Sequence, residues 1–377
     1  MSILSTGHKL SLDIGTYCNL SCPSCFRVSQ TKSYNEKHKT NLKNHPYLNT
    51  HHVTLDQVKS WFPKQFLMDY VHHVEFCGAI SEPALNPFCI DLVKYFSQHV
   101  KIVSMSTNGD IKSVEWWKQL AKSASNFVVR FYPDSLKPNN SLYRQSNTEN
   151  VIQNLKAFVS AGGKAVLSQV VFKHNQDEIS EFKQLANQIG CNYKMFVARE
   201  FTDNKTTSYE ATHNEKTYLL EKTDFIPSNP TFKEIKSSDP NTYCTLTYEK
   251  IIRVFSNGVI FPCCHVEGEL FDIYEDFFLN ESNTVPNTKV HPQIYKDIAS
   301  KIEIQGGIKT LSLKYNSIND IMNSTFYRNA LQTSWKLNSN ETCCNNCING
   351  TKSSIQEENT NILNIPDLSN RQDRDSQ

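Results

Sequence analysis

Three cysteines within eight residues constrain this chain more than any other feature: Cys18, Cys22 and Cys25 form a C-x3-C-x2-C array just after the apolar alternation Leu10, Leu12, Ile14. An odd number of thiols in one tight loop cannot pair off internally, and thiolates are the natural ligands of zinc and of iron–sulfur clusters. A [4Fe-4S] cluster takes four ligands. A loop that supplies three would leave one iron open to a small chelating molecule.

The rest of the composition narrows the setting. A chain of 377 residues is long enough for two domains and a large core. Lys and Arg number 39 against 38 Asp and Glu, a formal net charge of +1, which gives no sign of a general nucleic-acid or membrane-surface binder. No apolar run approaches the roughly 18 residues of a membrane span, and residues 1–9 lack the apolar core of a signal peptide. The expected location is cytoplasmic. Eight of the 12 cysteines cluster, as Cys18/Cys22/Cys25, Cys263/Cys264 and Cys343/Cys344/Cys347, while Cys77, Cys89, Cys191 and Cys244 are scattered. In a reducing compartment this is the pattern of metal ligands, not of a disulfide framework. Cys89 and Cys191, standing alone, read as small buried hydrophobes, and His51-His52 and His72-His73 as surface or strand-edge pairs, not metal sites.

Up to about residue 200, short apolar strands alternate with helical patterns. Strands are expected around 10–14, 71–76, 102–106, 127–131, 165–171 and 193–197, and helices at 54–68, 87–98, 113–122, 147–161 and 178–189. Thr54 with Gln57 makes a capping box, and Gly162-Gly163 stops the helix before the fifth strand. The polar stretch 27–52 has no periodicity and reads as a loop or lid. Parallel neighbours need crossover helices, so six such units predict an α/β fold with a parallel sheet, an open partial (β/α)6 barrel of the TIM type.

In such folds the chemistry gathers where strands end. The cysteine loop follows strand one and Cys77 to Pro83 follows strand two; Thr107-Asn108-Gly109 follows strand three. Arg130, Tyr132 and Asp134 are read as lying after strand four, and Lys173, His174 and Asn175 after strand five. Each alone is ordinary turn chemistry. Five at one rim point to a site.

Residues 201–243 are polar, with Pro227, Pro230 and Pro240, and read as a linker with at most one short helix. A second compact region is expected over 244–353, small, cysteine-rich and α+β. It opens with a hairpin at 251–261 around Asn257-Gly258, and a polar tail over 354–377 follows. Cys244, Cys263, Cys344 and Cys347, with Cys264 and Cys343 as neighbours in the doublets, provide enough thiolates for one tetrahedral zinc or one fully ligated [4Fe-4S] cluster. Spacing alone does not choose between them.

The cysteine array resembles the signature of radical S-adenosylmethionine (SAM) enzymes, with Ser24 where that family usually has an aromatic residue. Gly78 to Pro83 resembles the family's glycine-rich G-E-P segment, with Ser81 in place of a glycine, and Ser106-Thr107-Asn108-Gly109 resembles its S-T-N-G strand end. Asp134, Tyr143 and Arg144 resemble a further acidic segment with a nearby Y-R. The pattern Cys244-x13-Gly258-x4-Cys263, with the helix signal at 317–324, resembles the SPASM and twitch extensions of these enzymes. The resemblance covers about residues 8–350.

What the resemblance implies is specific. Cys18, Cys22 and Cys25 would hold a [4Fe-4S] cluster whose open iron binds SAM. Glu82, with Gly78 and Ser81, would face the SAM amino group, and Ser106 and Asn108 its ribose and methionine portions. Cys244, Cys263, Cys344 and Cys347 would hold one auxiliary [4Fe-4S] cluster. An electron donor such as flavodoxin or ferredoxin would supply the reducing electron. SAM would be cleaved to methionine and a 5′-deoxyadenosyl radical that abstracts hydrogen from substrate. A peptide or protein side chain is the first substrate class, and a sugar or aminoglycoside alcohol the second. A non-catalytic, zinc-binding interaction protein is the alternative of another class.

Overall fold

The computed structural model describes residues 4–23, 25–137, 142–144, 146–198, 201, 206–213, 216–224, 250–262, 266–281, 287, 289 and 291–331. Its framework is the repeated strand–helix unit of the sequence. β1 (His8–Leu12) is followed by α1 (Phe26–His38), α2 (Leu55–Trp61) and α3 (Lys64–Tyr70). Then come β2 (Val71–Phe76), α4 (Cys89–Ser97), β3 (Ile102–Thr107), α5 (Val114–Ala121) and β4 (Phe127–Phe131). α6 (Thr148–Ser160), β5 (Lys164–Val171), α7 (Ile179–Ile189) and β6 (Asn192–Val197) complete the series.

These six strands pair in parallel in chain order, and β9 (Ile251–Val254) and β10 (Ile260–Phe261) extend the sheet beyond β1, giving eight strands in the order β10-β9-β1-β2-β3-β4-β5-β6. β9 runs parallel to β1, and β10 folds back antiparallel on β9. The sheet does not close, so the chain has the α/β partial-barrel architecture that its pattern predicts. No described helix is long and apolar enough to cross a membrane.

Alternation along each strand separates the two faces of the sheet. Leu10, Leu12, Val74, Phe76, Val103, Met105, Phe127, Val129, Phe131 and Leu167 lie in one apolar cluster with helix residues such as Leu92, Phe96, Trp117, Phe158 and Phe182. The opposite face is buried yet polar. There Lys9 Nζ lies 2.8 Å from Glu75 Oε2 and Arg130 Nη1 3.2 Å from Glu75 Oε1, while His73 Nε2 and Ser104 Oγ are 2.7 Å apart. Burial alone would raise the Glu75 carboxyl, but the two cations hold it down at about 2. Burial also takes the His73 imidazole down to about 3. His73 is thus an interior residue, not the surface or strand-edge residue that the His72-His73 pair suggests.

Four other expectations are corrected. Within the stretch read as a loop, residues 26–38 form α1; its polar composition hides the helix because it buries little beyond Arg27 and Gln30. The expected helix 54–68 does begin with the Thr54–Gln57 capping box, but it breaks before Pro63, whose missing N–H lets α3 start afresh. Within the expected linker, β7 (Ser208–His213) and β8 (Lys216–Glu221) pair as an antiparallel hairpin. Arg130 lies inside β4, not beyond it. The second half of the chain continues with α8 (Glu267–Ile273) and α9 (Glu275–Asn280), and the expected short helix is Ile318–Met322, capped by Ser317.

Candidate functional site

The cysteine loop leaves the carboxyl end of β1. Cys25 N–H donates to the Cys22 carbonyl at 2.9 Å, and the Cys25 carbonyl accepts from Val28 and Ser29, so Cys25 is the N-cap of the 13-residue α1. Its thiol therefore sits where a helix dipole favours negative charge. All three thiols are half-buried. Burial pushes Cys18 up to about 11, Glu82 and Cys25 adding to it while Arg27 opposes. Burial likewise pushes Cys22 up to about 12, opposed by Arg144 and raised further by Cys25 and Cys18. Thiolates in such a place need a positive partner, and a bound metal centre supplies one while displacing the protons. Among the described residues no three His, Cys, Asp or Glu side chains converge on a point that could hold a single metal ion.

Arg27 fastens this loop to its surroundings. One of its nitrogens donates to the carbonyls of Thr16, at 2.6 Å, and of Ile80, and the other to Asn49 Oδ1 at 3.0 Å. Asn49 Oδ1 also accepts from Cys18 N–H at 3.4 Å. The guanidinium is buried beside all three thiols. No sequence signal marks Arg27 or Asn49, because both lie in the polar stretch that has no periodicity.

The loop after β2 turns sharply at Gly78, whose φ is +63° and where a Cβ would stand 2.8 Å from the Ser81 carbonyl, so no other residue fits without strain. Glu82 N–H donates to the Tyr17 carbonyl at 2.7 Å, tying this loop to the residue before Cys18. The Glu82 carboxylate accepts from Thr107 Oγ1 at 2.6 Å, Ala84 N–H at 3.1 Å and Asn108 N–H at 2.8 Å. Burial still raises its pKa. A carboxylate offers about four acceptor positions, so room for one more donor remains. Ser81 Oγ is buried without a hydrogen-bond partner among the described residues. At the end of β3, half-buried Ser106 adjoins this group, and Asn108 Nδ2 donates to Asn19 Oδ1 at 2.9 Å. Gly109, at φ +72°, packs where a Cβ would meet the Phe131 ring at 2.8 Å.

Beyond β4, the Arg144 guanidinium lies over two rings, 5.0 Å from the centroid of Tyr132 and 5.6 Å from that of Tyr143, and hydrogen-bonds to no described residue. Its carbonyl is 3.6 Å from Cys22 Sγ. Asp134 accepts from Tyr143 N–H at 2.7 Å, and burial raises its carboxyl to about 6. Gly78, Ser81, Glu82, Ser106, Asn108, Cys18, Cys22 and Cys25 thus share one rim. The proposed auxiliary ligands Cys244, Cys263, Cys344 and Cys347, and the neighbouring Cys264 and Cys343, lie outside the described residues, as do Ser24 and the tail 354–377.

The site is thus an open sheet of parallel strands with a three-cysteine loop after β1, ringed by the loops that follow β2, β3 and β4. No family model matches the chain, and no curated protein matches it. Among solved structures, SuiB of Streptococcus suis bound to S-adenosylmethionine is similar at 14% identity and a TM-score of 0.49, over 84% of this chain and 77% of that one. A second crystal structure of SuiB is similar at 15% identity and a TM-score of 0.45, over 70% of this chain; this chain spans 61% of that one, less than two thirds of its length. A polyhistidine-tagged anSMEcpe with bound AdoMet is similar at 14% and 0.48, over 88% of this chain and 81% of that one.

Proposed function

We propose that this chain is a radical SAM enzyme that abstracts hydrogen from a peptide or protein side chain. One observation carries the reading: the half-buried thiols of Cys18, Cys22 and Cys25 share a rim with a tight glycine turn, a buried carboxylate and an arginine whose donors are unspent among the described residues. The donor set fits the implied groups. The three thiolates would ligate a [4Fe-4S] cluster, with Arg27 offsetting their charge. The amino group of SAM would take the remaining acceptor position of Glu82 and the buried hydroxyl of Ser81. Its carboxylate suits Arg144, because a planar guanidinium binds a carboxylate with two parallel hydrogen bonds. Held there, a cluster and SAM would together supply one-electron chemistry and hydrogen abstraction.

The protein's own part is orientation and exclusion of water. Tyr132 and Tyr143 hold the Arg144 fork in place, Asn108 joins the loop after β3 to the cysteine loop, and the polar inner face of the sheet lies below. β6 is the edge strand of the sheet and half-buried over Tyr193–Val197, the side on which we place a large substrate. Cys244, Cys263, Cys344 and Cys347 remain our candidates for one auxiliary cluster, and the electron donor would be a small redox protein of the flavodoxin or ferredoxin type.

The test is anaerobic reconstitution followed by iron and sulfide analysis and incubation with SAM and dithionite. About eight irons per chain with 5′-deoxyadenosine formed would support the reading. Zinc without iron, and SAM left intact, would replace it with the binding-module alternative.

A further inference from the structure

Arg253 belongs to no motif, yet it sits at the centre of a buried cluster beside the rim. It is on β9, and β1 separates it from β2. Its Nη2 donates to Asp13 Oδ2, and its Nε and Nη2 grip both oxygens of Glu267, at 2.7 and 2.9 Å. Its Nη1 lies 2.7 Å from Cys77 Sγ and 3.5 Å from the Ser11 carbonyl. Arg253, Asp13 and Glu267 are 4%, 0% and 5% exposed, so water competes for none of these bonds.

Asp13 has a second task. Its Oδ1 accepts from Ala79 N–H at 3.0 Å and from Cys77 Sγ at 3.4 Å. Both belong to the loop 77–82, which turns at Gly78 and ends at Glu82. A fully buried carboxylate keeps one geometry only when its charge is matched and its oxygens are bonded. Asp13 has such a match in Arg253 alone among these contacts. A guanidinium fork fixes direction as well as charge, which a lysine ammonium does not.

We propose that Arg253 is a positioning residue for the loop 77–82: it orients Asp13, and Asp13 holds the Ala79 amide and so sets the turn that presents Ser81 and Glu82. The link to SAM rests on the function proposed above. The link to loop geometry does not.

The test compares Arg253→Lys, Asp13→Asn and Glu267→Gln, each first checked for folding by circular dichroism. Backbone amide exchange over 77–82 is followed in the protein without cluster or SAM, and KM for SAM and kcat in the reconstituted enzyme. R253K and D13N should each speed exchange in this loop about tenfold and raise KM for SAM about tenfold, with kcat within about threefold. E267Q keeps the Arg253–Asp13 contact but loosens the other side of the fork, and should change both by less than half as much. Unchanged loop exchange in R253K and D13N would overturn the proposal, as would an equal change in E267Q, which would mark a general loss of packing. If R253K does not fold, D13N against E267Q gives the same decision. If the protein does not cleave SAM, the exchange data still decide the positioning role while the function proposed above falls.

Discussion

The Arg144 guanidinium lies 5.0 Å from the centre of the Tyr132 ring, a cation resting on an aromatic face with its hydrogen-bonding edge uncommitted among the described residues. Such an arginine is preorganised for an anion, since stacking holds the plane without using the N–H groups. Arg144→Lys keeps the charge and loses the fork, so SAM affinity measured by equilibrium dialysis should weaken about tenfold; Arg144→Gln should weaken it about a hundredfold. Equal affinities in all three proteins would remove Arg144 from the SAM site.

Cys22→Ala removes one of three thiolates from the loop. Cluster content should fall and 5′-deoxyadenosine formation should cease when SAM and dithionite are added. Retained cleavage with full iron would sink the assignment of this loop.

The pair Cys344 and Cys347 is assigned from sequence to a separate centre. The double alanine variant should lose about four irons and still cleave SAM. Loss of all iron would count against two independent clusters.

Glu75 stands between Lys9 and Arg130, and Glu75→Gln leaves those two buried cations without their anion, at a cost of about 3–5 kcal/mol in chemical denaturation. The sign with pH follows from its depressed pKa of about 2 against an ordinary 4.5. The stabilising contribution is complete above pH 4.5 and is lost as pH falls towards 2. Between those limits the wild type should lose about 3 kcal/mol that the Gln variant does not. Parallel acid-denaturation curves would contradict this.

Asp134 has the opposite sign. Burial raises its carboxyl from 3.8 to about 6, so the folded chain keeps a proton there that the unfolded chain releases. Stability therefore falls as pH rises through that interval, by about 3 kcal/mol for the buried group. Asp134→Asn should remove that slope from the difference between its stability curve and the wild type's; an unchanged slope would place the titration elsewhere.

The order of the six strand–helix units was legible because burial of one strand face under helices imposes a simple alternation, as at Leu10, Leu12, Val74 and Phe76. The cysteine loop was legible because thiol spacing is local. What escaped was whatever depends on contacts distant in sequence. α1 has no apolar stripe, so nothing in residues 26–38 announces a helix; its place comes from Cys25 at its head and from Gly268, where a Cβ would strike Phe26 at 2.9 Å. Arg27 and Arg253 look like ordinary surface charges until the fold closes carbonyls and carboxylates around them. The hairpin at 208–221 is too polar to stand out from its surroundings.

The position of β9 has a consequence for synthesis. β1 ends at Leu12, but one of its two neighbours is supplied by Ile251–Val254, more than two hundred residues later. Until that stretch has been made, one edge of the first strand offers unpaired amides and carbonyls to any passing partner. Its bonds to β9 are also among the most sequence-distant in the sheet, the kind that form slowly. The nascent chain must therefore carry an open edge while the residues between β1 and β9 are made, and this is the stage at which that strand is most exposed to aggregation.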